Sequence, residues 1–109
     1  MATKDDFEKL DLRVGKIVGA TVVAESAKLL CISVDLGEGV PREIVSGVAR
    51  IYRTEDLIGK NVIVVANLDP KLIAGIESRG MLIGIEQDSN GLPLLIFAQD
   101  GIAPGSKLS

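Results

Sequence analysis

The chain contains no histidine, no tryptophan and a single cysteine among its 109 residues. Without histidine it lacks the commonest general base and the commonest transition-metal ligand of proteins. One cysteine excludes an internal disulfide and argues against a structural zinc site, so we expect no metal, no cofactor and a reducing, cytoplasmic setting. No acid–base pair emerges from the remaining residues. The sequence therefore predicts a protein that is not an enzyme.

Aromatic side chains are almost as scarce, since only Phe7, Tyr52 and Phe97 are present. Proteins that stack unpaired bases on aromatic platforms usually carry more of them. If this chain binds nucleic acid, we expect contacts to the backbone and to the shape of a folded RNA.

A large positive charge is also missing, because the net charge is −3. This value counts against a nucleic-acid partner. The acidic excess lies at the two ends, however, and residues 12–85 carry nine basic against eight acidic side chains. The middle of the chain is neither acidic nor a basic stripe, so charge alone does not suggest RNA.

Long apolar runs are absent, and the longest, at 62–66 and 92–97, are far shorter than the ~18 residues that span a bilayer. The N-terminus is acidic and has no secretory signal, so we expect no membrane partner. The length and the 47% hydrophobic content fit one globular domain over residues 1–109. A start at Met1 and an ending at Ser109 favour a free-standing chain.

Alternating apolar residues predict an all-β fold. The first three strands are expected at 12–23, 28–36 and 42–46. In the first strand the apolar residues expected to face the core fall out of strict alternation near Gly15 and Gly19. This irregularity predicts a bulge or a bend at a barrel corner.

The second half of the chain continues this pattern. Thr54 is expected to be the N-cap of a short helix, and 62–66 to be a strand buried on both faces. A polar loop is expected at 67–80 and a fifth strand at 81–85, with 92–97 returning as a C-terminal hairpin extension. A five-stranded OB-fold barrel with a short helix between strands 3 and 4 fits this order. Such a fold does not by itself assign a function.

Individual residues narrow the chemistry further. Ser46-Gly47 lacks a nucleophile elbow and a histidine to activate the serine. Cys31, in mid-strand, is expected to be a buried, inert thiol. The segment 67–81 offers two positive charges with hydroxyl and amide donors, which suits phosphate and ribose. The same composition fits a plain surface loop, and the residues alone leave both interpretations open.

Several motifs in order carry a family resemblance over roughly residues 7–108. They are LRVGKI (12–17), AKLL (27–30), VDLGE (34–38), IVSGVA (44–49), GKNVIVVANLDP (59–70), GIESRGM (75–81) and APGSK (103–107). In these motifs the chain resembles the tRNA-binding domain at the C-terminus of many methionyl-tRNA synthetases, which also occurs as free-standing dimeric proteins.

The resemblance implies an OB-fold that recognises the tRNA elbow by shape, usually as a homodimer, and that assists a synthetase without doing chemistry. It also implies a tRNA-binding face made of Lys28, Arg42, Ser46, Asn67, Lys71, Ser78, Arg79 and Met81. The cations would pair with phosphates, the polar side chains would donate to phosphate or ribose oxygens, and Met81 would supply an apolar contact.

Two departures and two alternatives remain. The family usually places lysine where this chain has Asp69 and Leu72, which implies weaker tRNA binding that salt reduces steeply. The opening residues 5–11 also look like CsaA, a chaperone-like member of the same superfamily, so a protein-binding chaperone or secretion factor is one alternative. A dimerisation appendage of a synthetase, joined through 92–97, is the other.

Overall fold

The computed structural model describes residues 1–109 and contains two short helices and ten strands. The helices are α1 (Lys4–Glu8) and α2 (Thr54–Leu57). The strands are β1 (Leu12–Val22), β2 (Leu30–Asp35), β3 (Arg42–Ser46), β4 (Asn61–Val65), β5 (Lys71–Ile73), β6 (Ile76–Ser78), β7 (Met81–Leu82), β8 (Gly84–Ile85), β9 (Leu94–Leu95) and β10 (Phe97–Ala98). Neither helix has the length and hydropathy needed to cross a membrane.

An antiparallel barrel of five strands forms the body of the molecule. Its strands run in the order β3-β2-β1-β4, and β7 pairs with the far side of β4. The barrel closes where the Arg79 amide donates to the Glu43 carbonyl (2.9 Å) and the Val45 amide donates to Ser78 Oγ (2.9 Å). These bonds join the end of β6 to β3. The predicted OB-type barrel, with α2 between β3 and β4, is confirmed.

Strand β1 is long enough to pair with two partners. Its first half pairs with β4 from Leu12 to Lys16, and its second half pairs with β2 from Lys16 to Val22. The register with β2 shifts between Ile17 and Gly19, which confirms the predicted irregularity. Such a bulge bends the strand and lets one strand serve both sides of the barrel.

The core fills the barrel with aliphatic side chains. In β2 the residues Leu30, Ile32 and Val34 are buried while those between them are half-buried, as the alternation predicted. From α2, Leu57 is fully buried in the same cluster. Strand β4 is buried on both faces, also as predicted, and β10 and β7 pair along its edge.

The expected loop at 67–80 contains a hairpin instead. Strands β5 and β6 pair through a two-residue turn at Ala74 and Gly75, whose φ angles are 50° and 79°. Positive φ at both central positions is the turn that suits a β-hairpin, but its usual signal is Asn-Gly or Asp-Gly. Because Ala74 stands where asparagine or aspartate is usual, these residues carry no recognisable hairpin signal.

Two further details differ from expectation. The N-cap of α2 is Arg53 and no side chain caps it, so the assignment of Thr54 was wrong: Thr54 is the first helical residue, and its hydroxyl donates to the Glu55 carboxylate (3.2 Å). The expected fifth strand divides at Ile83, so that β7 stays in the barrel while β8 pairs with β9 in the C-terminal hairpin.

Candidate nucleic-acid interface

The eight predicted binding residues lie on or beside one side of the barrel. Arg42 and Ser46 occupy the two ends of β3, and Ser78 and Arg79 reach β3 from the end of β6. We call this surface the β3 strip and define it by the eight residues, which are Lys28, Arg42, Ser46, Asn67, Lys71, Ser78, Arg79 and Met81.

Lys28 lies at the Ser46 end of the strip. It precedes β2, whose first residue, Leu30, pairs with Ser46. The Lys28 carbonyl accepts from the Ala49 amide (3.1 Å), which ties this position to the turn after β3. The Lys28 side chain is exposed and has no ion-pair partner, so its charge is available to a ligand.

Lys71 and Arg79 lie at the same end of hairpin β5–β6 but on opposite faces. Lys71 pairs directly with Ser78, whose side chain faces the barrel. Because side chains alternate along a strand, Arg79 points the other way, with Glu77. The 3.9 Å separation of Arg79 Nε and Glu77 Oε1 agrees with this placement. A ligand that meets both cations must therefore wrap around the hairpin end.

The Arg42 side chain is already hydrogen-bonded to other groups of the protein. Its guanidinium makes two 2.8 Å bonds to the Glu38 carboxylate and donates to the carbonyls of Ala66 (2.6 Å) and Arg79 (3.3 Å). The side chain is only 17% exposed. The hydrogen bond between the Arg42 guanidinium and the Glu38 carboxylate lowers the pKa of Glu38 and raises the pKa of Arg42. Glu38, which entered the sequence analysis only within the motif VDLGE, is therefore a member of this site.

Asn67 and Ser78 are engaged in the same way. The Asn67 side chain accepts from the Asp11 amide (2.8 Å) and donates to the Lys9 carbonyl (2.8 Å), which holds the N-terminal segment against the end of β4. Ser78 is 3% exposed, and its hydroxyl accepts from the Val45 amide. In this conformation Ser78 has no surface to offer a ligand, whereas Asn67 is exposed but has its side-chain amide bonded to the N-terminal segment.

An apolar groove of about 280 Å³ opens at the Ser46 end of the strip. Ser46 and Met81 line it together with apolar side chains of β7, β8 and β9. Met81 is 50% exposed, as is Ile85 on the β8 side. The groove can accept an aliphatic side chain or another apolar surface next to the polar strip.

The outer face of β2 and β3 carries a cluster of different chemistry. Glu43 accepts from the Ser33 hydroxyl (2.8 Å) and from the Cys31 thiol (3.1 Å). Partial burial, and then the hydrogen bond and charge of Glu43, raise the pKa of Cys31 to about 11. The thiol is half-buried on this outer face rather than in the core, which corrects the expectation of a buried residue.

Comparison with known proteins agrees with this architecture. Residues 12–107 match the family model described as "Putative tRNA binding domain". The chain is 48% identical over 106 residues to methionine–tRNA ligase of Methanocella arvoryzae, covering 97% of this chain and 15% of the ligase. It is 47% identical over 108 residues to the same enzyme of Thermotoga maritima, covering 98% of this chain and 16% of the ligase.

Two solved structures resemble the chain over nearly their whole lengths. The MetRS-related protein of Pyrococcus horikoshii superposes with a TM-score of 0.90 at 34% identity, over 100% of this chain and 98% of the other. The chaperone CsaA of Bacillus anthracis superposes with a TM-score of 0.86 at 30% identity, over 100% and 99% of the two chains.

The chain spans only about 15% of the length of the curated ligases that it matches. It shares with them one domain, and the family model covers nearly all of this chain. On these grounds the chain belongs to the family of tRNA-binding domains that is related to part of the methionine–tRNA ligases.

Proposed function

We propose that this chain binds folded tRNA by its shape and backbone and assists a methionyl-tRNA synthetase without doing chemistry itself. Membership of the tRNA-binding domain family supports the ligand. The observation that carries the site is the exposure of three cations around β3 and the hairpin beside it, Lys28, Lys71 and Arg79. Because Lys71 and Arg79 lie on opposite faces of the hairpin end, they suit a bent phosphate backbone that wraps around it.

The residues of the strip divide into two roles in this proposal. Lys28, Lys71 and Arg79 pair with phosphates, and the half-exposed Ser46 donates to a phosphate or ribose oxygen. Met81 supplies an apolar contact at the groove. The other residues hold the strip in shape, and they are Arg42, Asn67 and Ser78.

A salt titration with tRNA and with an unstructured RNA of equal length tests this proposal. We expect tRNA to bind more tightly than the unstructured RNA at low salt. Lys71→Ala combined with Arg79→Ala should weaken tRNA binding and flatten the salt dependence by about 0.7 to 0.9 per lost phosphate contact. Lys4→Ala combined with Lys9→Ala removes an equal charge from the exposed N-terminal segment and should change little.

A substitution that should strengthen tRNA binding provides the complementary test. Leu72 is 73% exposed on the same hairpin, where the resembling family usually has lysine. Leu72→Lys should therefore tighten tRNA binding and steepen its salt dependence, whereas Val18→Lys, on the distant outer face of β1, should not. Failure of the native chain to bind tRNA at low salt would refute the proposal, and equal binding of unstructured RNA would refute recognition by shape.

The chain functions in this proposal as a cytoplasmic homodimer. The exposed side chains of Ile85, Ile96 and Phe97, beside the part of the groove that Met81 lines, supply a surface for a second copy. A dimer would present two β3 strips to one tRNA or join two synthetase subunits. The related proteins are named as tRNA ligases, which supports a place beside the translation machinery.

Protein binding is the second candidate function. The similarity to the structure of the chaperone CsaA of Bacillus anthracis and the apolar groove favour it. Suppression of the aggregation of an unfolded client, measured with and without excess tRNA, separates the two functions. Suppression that tRNA does not compete away, together with weak tRNA binding, would favour the chaperone function.

A further inference from the structure

The hairpin β5–β6 carries Lys71 and leads into Arg79, yet it has little to hold it. Each of its strands has three residues, and β5 and β6 pair only with each other. An isolated two-stranded hairpin is marginally stable in water. Its position must therefore come from the bonds at its two ends.

Beside the bonds of Ser78 and Arg79 to β3, the segments that precede and follow the hairpin meet at Arg42. The Ala66 carbonyl, at the end of the strand before the hairpin, accepts from Arg42 Nη1 at 2.6 Å. The Arg79 carbonyl, just beyond β6, accepts from the same nitrogen at 3.3 Å. One nitrogen thus bridges the exit from β4 and the return to the barrel.

Glu38 fixes the direction of this bridge. Its two carboxylate oxygens accept from Arg42 Nε and Nη2, each at 2.8 Å. A guanidinium has five N–H groups, and four hydrogen bonds are already made here. The geometry leaves Arg42 poorly suited to a phosphate but well suited to hold two carbonyls in register.

We infer that Arg42 is a positioning residue for tRNA binding: its guanidinium, oriented by Glu38, links the segments before and after hairpin β5–β6 and so helps to set where Lys71 and Arg79 present their charges. This inference rests on the proposed function for its ligand, but the anchoring itself is a property of the free protein. It differs from the role that the family resemblance implied, in which Arg42 pairs with a phosphate.

Hydrogen exchange of the free protein tests the anchoring without RNA. Arg42→Lys keeps the charge, but its single nitrogen replaces three, so it cannot hold the Glu38 carboxylate through two nitrogens while a third bridges the two carbonyls. We expect the amides of residues 71–79 to exchange at least about tenfold faster in this variant, because local opening becomes easier. The amides that pair β1 with β2 should keep their native rates, which shows that the barrel is intact. Unchanged exchange at 71–79 would overturn the inference.

Salt-dependent tRNA binding distinguishes positioning from direct contact. Arg42→Lys should weaken binding about tenfold, or about 1.4 kcal/mol, which is comparable to hydrogen bonds with a charged partner. The slope of log affinity against log salt concentration should stay native in Arg42→Lys, whereas Lys71→Ala should lower the size of this slope by about 0.7 to 0.9. Native affinity in Arg42→Lys, or a slope that falls as in Lys71→Ala, would overturn the inference.

Glu38→Gln gives opposite outcomes for the two roles. If Arg42 contacted phosphate, the loss of its carboxylate partner would free the guanidinium and tighten tRNA binding. If Arg42 is a positioning residue, binding weakens because the bridge loses its orientation. Asp69→Asn removes a carboxylate from the hairpin segment without touching Arg42, and it should tighten binding slightly. Binding by Glu38→Gln that equals or exceeds the native value would overturn the inference.

The two proposals fail in different ways. If the native chain does not bind tRNA, the proposed function is refuted, while hydrogen exchange still decides whether Arg42 anchors the hairpin. If tRNA binds but exchange at 71–79 is unaffected by Arg42→Lys, the function stands and the positioning role is refuted.

Discussion

The basic side chains of the β3 strip differ in how free they are. Lys28 and Lys71 have no ion-pair partner, and Arg79 has a loose one at 3.9 Å from Glu77. Arg42, by contrast, has a bidentate carboxylate partner and two carbonyls. Exposed ion pairs contribute little, so Arg79 can exchange Glu77 for a phosphate at small cost. Arg42 cannot do so without releasing the hairpin.

Cys31 allows a prediction of pH dependence at the scale of one residue. Burial and Glu43 favour the neutral thiol, and they raise its pKa from 9.0 to about 11. Only the thiolate reacts with alkylating agents, so at pH 8 the folded protein should react roughly 100-fold more slowly than the unfolded chain. The rate of iodoacetamide labelling against pH should rise with a midpoint near 11 when folded.

Glu43→Gln is the matched variant for this measurement. It removes the negative charge beside Cys31 but keeps a hydrogen-bonding group, so the midpoint should move down toward 9.0 without reaching it, since burial remains. A midpoint at or below 9.0 in the native protein would contradict the arrangement of Cys31 and Glu43.

At the scale of one element, β1 shows why a glycine is required in a strand. Gly15 lies where β1 crosses the core, and a Cβ there would collide with the Val34 side chain and crowd those of Leu36 and Val64. Gly15→Ala should therefore destabilise the protein by about 1–3 kcal/mol, as overpacking of a core does. Urea unfolding measures the loss.

Gly19→Ala is the control in the same strand. A Cβ at Gly19 would meet only the Ser33 side chain, at an ordinary contact distance of 3.4 Å. Its free energy of unfolding should stay within about 0.5 kcal/mol of native, as for most surface changes. Equal losses in the two variants would mean that strand propensity, and not packing against Val34, sets the requirement.

Hairpin β5–β6 is the element that sequence reasoning missed. Its three-residue strands are too short for a clear alternation, and its turn has alanine at a positive φ. Contacts with β3, through Ser78, Arg79 and the Arg42 guanidinium, give the hairpin its place. Its order is therefore a tertiary effect, which is why Arg42 matters to it.

On the scale of the whole molecule, an acidic chain with a pI of about 4.9 is expected to bind a polyanion. Part of the acidic charge near the strip is matched internally, since Glu38 pairs with Arg42. The excess negative charge lies in the terminal segments. Long-range repulsion should still slow association at low salt, since the screening length then exceeds the size of the strip.

The expected homodimer is also a property of the whole molecule. Ile85, 50% exposed beside the groove, should lie in the interface. Ile85→Asp should convert the dimer to a monomer in sedimentation or gel filtration, because an unpaired carboxylate would be buried. Val40→Asp changes a residue that is 74% exposed in the turn between β2 and β3, and it should leave the dimer intact. A native chain that sediments as a monomer would contradict the expectation.

The sequence by itself determined the barrel. Period-two alternation in β2, the unbroken apolar run of β4 and the glycines of β1 are local signals, because they record which face of each strand is buried. The ordered motifs determined the family for the same reason: they are strings of adjacent residues. Eight positions for the binding face followed from that resemblance.

Only the tertiary structure decided what those eight residues can do. A sequence records that Arg42 and Asn67 are polar, but their hydrogen-bond partners lie up to 58 residues away along the chain. Whether a cationic side chain is free to bind a ligand, or already bonded within the protein, depends on which groups folding brings next to it. Burial of Ser78, the clamp at Arg42 and the opposite faces of Lys71 and Arg79 are therefore consequences of strand pairing, which no local pattern specifies.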